Sequence, residues 1–283
     1  MSTVQVQKES GRWSVEGGKP RGTLAALVRH TLSLQTRGIL IWGFVVGLYS
    51  AAIVASYKTF GSPAQIEQIM QAYPEDLLEA FGMTDMTSVE GYLDGQIFIL
   101  APLALAFFTI LAAANAIAGA EERGSIDVLL GNPLPRWQLV VGNFVATALS
   151  LLGILAIAGL MSWVTATLMD IDLSFGNTVE GFLNLWPISL AFGGLAMLCS
   201  ALFHRRALAI AIPGFVLFAM YLLNTLGNIS EDLEDYQPAS AFHYYGSAVL
   251  DGIDWADFVG LTAVAVFLVL LAVLAFRRRE IYT

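Results

Sequence analysis

The residues best placed to do chemistry form one charged island in an otherwise apolar chain, GAEERGSIDVLLGNPLPRWQLVVGNF, at 119–144. Glu121, Glu122 and Arg123 open it, and Arg136 precedes the next apolar run. Between them Ser125 suits the N-cap of a short helix whose stripe is Ile126, Leu129 and Leu130, with Gly131, Asn132 and Pro133 to stop it. Clustered charge beside an exposed aliphatic stripe is chemistry for holding another protein. The plainer reading is that the acids solvate a loop and the leucines lie on a membrane surface. The glycine spacing of GAEERGSI imitates a phosphate-binding loop, but Ser125 stands where that loop needs lysine, and an apolar helix precedes it where a strand is required. The chain is therefore expected to bind no ATP itself.

Other reactive groups are sparse. Cys199 is the only cysteine and falls in an apolar run, so there is neither a disulfide framework nor a thiolate metal cluster. There is no His-Glu-x-x-His and no Gly-x-Ser-x-Gly. His30 reads as a solvated residue, and His243 as a lone histidine rather than a metal ligand. We expect no catalytic residue, no metal site and no cofactor on this chain.

These residues are positioned by membrane helices. The chain has 283 residues, 57% hydrophobic and 13% charged, with a mean hydropathy of +0.68, far from soluble composition. Crossing a hydrocarbon layer of about 30 Å takes roughly 20 helical residues. Six runs qualify, and the predicted spans are 38–57, 88–119, 137–169, 181–203, 207–229 and 255–276. Runs so uniformly apolar exclude alternating barrel strands, so the fold class is an all-α integral membrane protein. The third run is too long for an upright helix and must tilt, kink near Gly153 or Gly159, or extend beyond the bilayer. The cores of the runs lack acids and histidines, which argues against ion-coupled carriage. Asn115, Asn143, Asn184 and Asn224 read as interhelical hydrogen-bond partners rather than ligands.

Charge sets the expected orientation. With six spans and an inner N-terminus, every one of the 14 Lys and Arg except Lys58 falls on the cytoplasmic side, and both termini are cytoplasmic. Most of the 23 acids fall in the three outer loops, so the net charge of −9 belongs to the outer face and does not point to nucleic acid. Topology and solubility account for those acids; attraction of cationic solutes is the alternative.

Residues 1–22 read as a flexible cytoplasmic tail without a removable signal peptide. At 23–37, Leu24, Leu27, Val28, Thr31, Leu32 and Leu34 share one helical arc, opposite Arg29, His30, Ser33 and Arg37, which predicts an interfacial amphipathic helix ahead of the first span. The outer loop 58–87 carries helical spacing at Ile66, Ile69, Met70 and Tyr73 and again at Leu77, Leu78 and Phe81, predicting a small helical cap. TSVE at 87–90 is a capping box, which places the second helix start near Ser88. Tyr244, Tyr245 and Trp255 read as an interfacial aromatic belt, and 277–283 as a basic cytoplasmic C-terminus.

At the island the chain resembles the permease subunits of ABC-2 type transporters, whose first inner loop has the form Glu-Glu-x-Gly-Thr/Ser, an aliphatic helix, a Pro and an Arg. Glu121, Glu122, Gly124, Ser125, Leu129, Leu130, Pro133 and Arg136 fit it. FRRREI at 276–281, SAFHYYGSAVLDGIDW before the last span and YPEDLLEAFG in the first outer loop look like the bacterial branch. Asn143 departs from it, since a basic residue often follows the loop's glycine.

The resemblance implies a type V exporter-like architecture in the bacterial cell membrane. Two six-span permeases, identical or paralogous, would pair, each docking a separate ABC ATP-binding subunit that carries ATP and Mg. Loop 120–136 would be the coupling loop: Glu121, Glu122 and Arg123 for polar contacts, Ser125 to Gly131 as the coupling helix with Ile126, Leu129 and Leu130 for a hydrophobic groove, and Gly124, Pro133 and Arg136 as further residues of the loop's pattern. Residues 23–37 would be the connecting helix. A path along the two-fold axis would be lined by the second and fifth spans, with Phe98, Leu105, Asn115, Phe215, Phe218 and Asn224 as candidates, suiting a lipid, antibiotic, peptide or ionophore. A secondary carrier and a non-transporting sensor or accessory subunit stay open as alternatives.

Overall fold

The computed structural model describes residues 23–60, 88–124 and 135–278, and all of its regular structure there is helical. In chain order the helices are α1 (Thr23–Phe60), α2 (Val89–Leu93), a π-helical turn (Asp94–Phe98), α3 (Ala101–Ala116), α4 (Ala118–Glu122), α5 (Arg136–Leu168), α6 (Phe175–Leu202), α7 (Arg206–Gly227), α8 (Glu231–Glu234), a 3₁₀ turn (Gln237–Ala239), α9 (Ala248–Asp251) and α10 (Trp255–Arg278). Five of them, α1, α5, α6, α7 and α10, are long and apolar enough to cross a membrane; a sixth results if α2 with its π turn and α3, bent by 40°, count as one span. The expected outer cap at 58–87 and the helix at 125–130 lie outside the described residues, apart from the end of α1.

The separate interfacial helix expected at 23–37 is not a separate element. Residues 23–60 form one helix without a break, because the first third of α1 has a partner along its length. Leu27 packs over Gly142, the Ser150 hydroxyl donates to Gln35 Oε1, Ile39 meets Gly153, Gly43 meets Ile157, and Gly47 meets Met161 and Ala158. These pairs advance together, so α1 and α5 run parallel and in register. Lipid tails are as apolar as leucine, so such a seam is held by close packing rather than by hydrophobic burial, and glycines spaced by four give the needed approach. The arc expected on this segment is largely present, with Leu24, Leu27, Val28, Thr31 and Leu32 turned inward to varying degrees; Leu34 is off it, 70% exposed. α5 takes up its excess length as an unbroken helix of 33 residues, with no break at Gly153 or Gly159.

α6 is the central helix, packed by α3, α5, α7 and α10. Gly193 lies against Thr109 of α3 and Gly194 against the Ala265 carbonyl and Leu268 of α10. The Thr109 hydroxyl donates to Ser189 O at 2.6 Å, and Trp186 Nε1 to Ala148 O at 3.1 Å, tying α6 to α3 and α5.

The second span begins near Ser88, as expected, with the second residue of TSVE as its cap rather than the first. Ser88 is the N-cap, accepting from Gly91 N at 3.0 Å. The helix then widens: Ile99 N reaches back five residues to Asp94 O, and Tyr49 of α1 donates to Gln96 O at 2.8 Å. Pro102, near the start of α3, has no N–H to continue the ladder, and the bend falls just before it.

Candidate functional site

Arginines and their partners gather at one end of the bundle, where α4 meets the start of α7 and α10 ends beside the start of α5. Glu121 Oε1 lies 2.8 Å from His204 Nδ1, a hydrogen bond that becomes an ion pair when the imidazole is protonated. Glu122 Oε1 accepts from Arg206 N at 2.8 Å, so this carboxylate serves the N-terminus of α7, where backbone amides favour negative charge. The Arg123 guanidinium reaches back toward Asn115 O at 3.5 Å. Gly124 has φ +66°, the left-handed geometry that ends a helix, and its amide bonds Glu121 O. Arg136 lies over the Phe276 ring at 5.9 Å and reaches Phe276 O at 3.5 Å, a cation beside the last carbonyls of α10. Ser125, Ile126, Leu129, Leu130 and Pro133 lie outside the described residues.

The step from α3 to α4 has a mechanical cause. Ser200 of α6 accepts from Ala118 N at 2.9 Å and donates to Ala114 O at 3.3 Å. In a regular helix Ala118 N would bond Ala114 O directly. The hydroxyl is inserted into that rung, which breaks the helix at Ile117 and sets the direction in which Glu121 and Glu122 leave the bundle. Nothing in the sequence had singled out Ser200, His204 or Arg206, since their partners are more than 80 residues away.

The six residues considered for a path are not brought together within the chain. Leu105 is wholly buried in the core. Asn115 covers Gly119 at the arginine-rich end. Phe215 and Phe218 project outward from α7, 74% and 55% exposed. Phe98 and Asn224 both line a cavity at the opposite end, although the Phe98 ring is packed on Phe182 and Gly181.

That cavity has a volume of about 340 Å³. Asp94 and Ile99 on one side face Tyr221, Asn224, Thr225 and Asn228 of α7 and its end, and the loop residues Gln237, Phe242, His243, Tyr245, Gly246 and Ser247 complete the wall. Gln237 fixes the loop to α7, its amide donating to Asn224 O at 3.1 Å and to Asn228 Oδ1. Ser240 donates to Met220 O at 2.8 Å, and Asn184 of α6 donates to Tyr245 O at 2.6 Å. Tyr245 is therefore not part of an exposed aromatic belt. Burial, with the Asp94 charge second, holds its hydroxyl well above the usual tyrosine pKa, so it stays neutral. Tyr244 and Trp255 are exposed, as a belt requires. Of the four asparagines expected to bond between helices, Asn184 instead bonds a loop carbonyl, Tyr245 O, and Asn143 bonds Leu139 O of its own helix. On its own, Asp94 is not singled out by the sequence; the signal that could have found it is the polar Asp-Gly-Gln step inside an apolar helix that Pro102 then interrupts.

Among known families, the one described as multidrug efflux system permease Rv1217c, C-terminal domain, matches residues 24–277. No curated protein matches the chain.

Proposed function

Starting from the fact that the chain belongs to this family of multidrug efflux permease domains, and is a multi-pass membrane permease subunit, we propose that it forms half of an ATP-driven exporter for hydrophobic or amphipathic compounds. The family match over nearly the whole chain carries this reading. In it, ATP and Mg belong to a separate ATP-binding subunit, and the arginine-rich end lies in the cytoplasm with both termini.

The construction of that end supports the coupling role. Glu121 and Glu122 are braced on His204 and Arg206, so force applied to the 125–134 segment passes into the end of α6 and the start of α7. The exposed apolar face of α7 around Phe215 and Phe218 suits a second permease subunit across the translocation path.

The test is co-purification in detergent after co-expression with a candidate ATP-binding subunit. Wild type retains the ATPase, and a folded variant carrying Glu122→Lys and Leu130→Asp loses it. Equal retention by the variant, or no retention by wild type, removes the coupling reading.

A further inference from the structure

We propose that the cavity between the π-helical turn and the 237–247 loop binds an amphipathic organic cation, with Asp94 as its counter-charge. The permease reading enters only in what the site is used for; binding itself requires no ATP.

The volume, about 340 Å³, is that of a site for one small organic molecule. Its chemistry is uneven in a useful way. Asp94 puts a carboxylate on the wall, with Ser247 beside it and the like charge of Asp251 near enough to act on it. No described Lys or Arg pairs with Asp94; the histidine on the wall, His243, sets its ring edge to face with Tyr244 and has no ion pair with Asp94 among the described residues. A carboxylate partly withdrawn from water and lacking a basic partner favours a cation that supplies one.

The rest of the wall selects the kind of cation. Tyr221 and Phe242 meet edge to face, ring centroids 5.5 Å apart, and Tyr245 adds a neutral ring. Aromatic faces attract alkylated or delocalised cations. A small metal ion would want several oxygen ligands, and an anion would be repelled. The surrounding end is acidic, with Glu90, Glu180, Asp232, Asp235 and Asp254 and, among the described Lys and Arg, only Lys58. Such a field concentrates cations at the mouth.

The irregular backbone is what makes the site. A regular helix through 94–98 would turn Asp94 to another face, and π turns inside α-helices are frequent at functional sites. The turn is held by Ile99 N to Asp94 O and by Tyr49 to Gln96 O.

The probe is tetraphenylphosphonium, measured by equilibrium dialysis on the full chain in lipid nanodiscs, with empty nanodiscs as blank and tetraphenylborate as the anionic counterpart. Expected is saturable binding of the cation above the blank, at least tenfold tighter than the borate. Asp94→Asn weakens it tenfold or more, Asp94→Glu restores most of it, and Thr225→Phe, which fills the cavity without touching the charge, abolishes it. Absence of saturable binding by wild type, or full binding by folded Asp94→Asn, overturns the proposal. If Asp94→Asn does not fold, Thr225→Phe decides: retained binding overturns, loss supports. Because no ATPase takes part, failure here leaves the coupling reading standing, and failed co-purification leaves this site standing.

Discussion

The Ser200 hydroxyl stands 2.9 Å from the Ala118 amide and occupies the place of that amide's own helical partner, Ala114 O. One side chain of the central helix thereby sets the direction of α4, and with it the direction in which Glu121 and Glu122 leave the bundle. Removing it leaves two choices: the Ala118 rung closes and α4 swings, or two buried backbone groups stay unsatisfied.

Ser200→Ala is therefore expected to lower stability by about 1–3 kcal/mol, the cost of losing a buried hydrogen-bond partner. Thermal unfolding in detergent measures the first effect. The co-purification assay measures the second: ATPase retention should fall although no residue of the loop has changed. An unchanged melting midpoint together with full retention would sink the idea that this hydroxyl sets α4.

Gly227 closes α7 beneath Gln237. A Cβ there would meet the Gln237 side chain, 2.8 Å from its Cδ, and push the amide off Asn224 O. Gly227→Ala should destabilise by about 1–3 kcal/mol and weaken cation binding in the cavity. Gly214→Ala on the same helix, where a Cβ meets nothing within 4 Å, should be neutral or stabilising. Equal melting midpoints for the two variants would show that the Gln237 anchor contributes little.

The α1–α5 seam depends on Gly43 and Gly47 meeting Ile157 and Met161. A Cβ at Gly43 would lie 2.9 Å from Ile157 Cδ1, the far end of a side chain that can shift, so Gly43→Ala should cost little. Gly43→Leu cannot be accommodated without parting the helices, and should cost about 1–3 kcal/mol. A cysteine pair at Leu27 and Gly142 reports the seam directly: it should cross-link in the wild-type background and cross-link poorly with Gly43→Leu. Efficient cross-linking in both backgrounds would show that the glycine is not what holds the seam.

On the exposed face of α7, Phe215→Ser should largely abolish export of a hydrophobic dye from proteoliposomes carrying the complete transporter, while the melting of the isolated chain changes little. The substitution brings no charge into the span, and Phe215 is 74% exposed in the single chain, so few contacts within it are lost. Unimpaired export by the folded complex would remove the face from both the path and the subunit contact.

Much of the helix layout was legible. The runs 207–229 and 255–276 fall within two residues of α7 and α10, and α6 starts six residues before the run at 181–203, because long charge-free runs between charged ends leave little freedom in a bilayer. Ser88 was legible to within one residue as a cap, since capping is local chemistry. The amphipathic arc at 23–37 was legible as a helix, whereas its continuity with the first span and its packing on α5 were not, because the contacts to Gly142 and Ser150 come from more than 100 residues away. Glu121, Glu122 and Arg123 were legible as a polar cluster, whereas the partners that brace them were not, because His204 and Arg206 looked like the ordinary basic flank of a span.

The sequence by itself determined that this chain crosses a membrane as helices, roughly where they begin and end, and which end carries the basic residues. Those properties follow from local composition acting against a solvent of fixed thickness. Only the tertiary structure decided that the first helix runs unbroken along α5, that a serine inserted in a backbone rung redirects α4, and that Asp94 shares a cavity with aromatic residues from a loop nearly 150 positions later. Such contacts depend on shape, on a missing Cβ or a single hydroxyl at a set depth, and a string of residue types does not record depth.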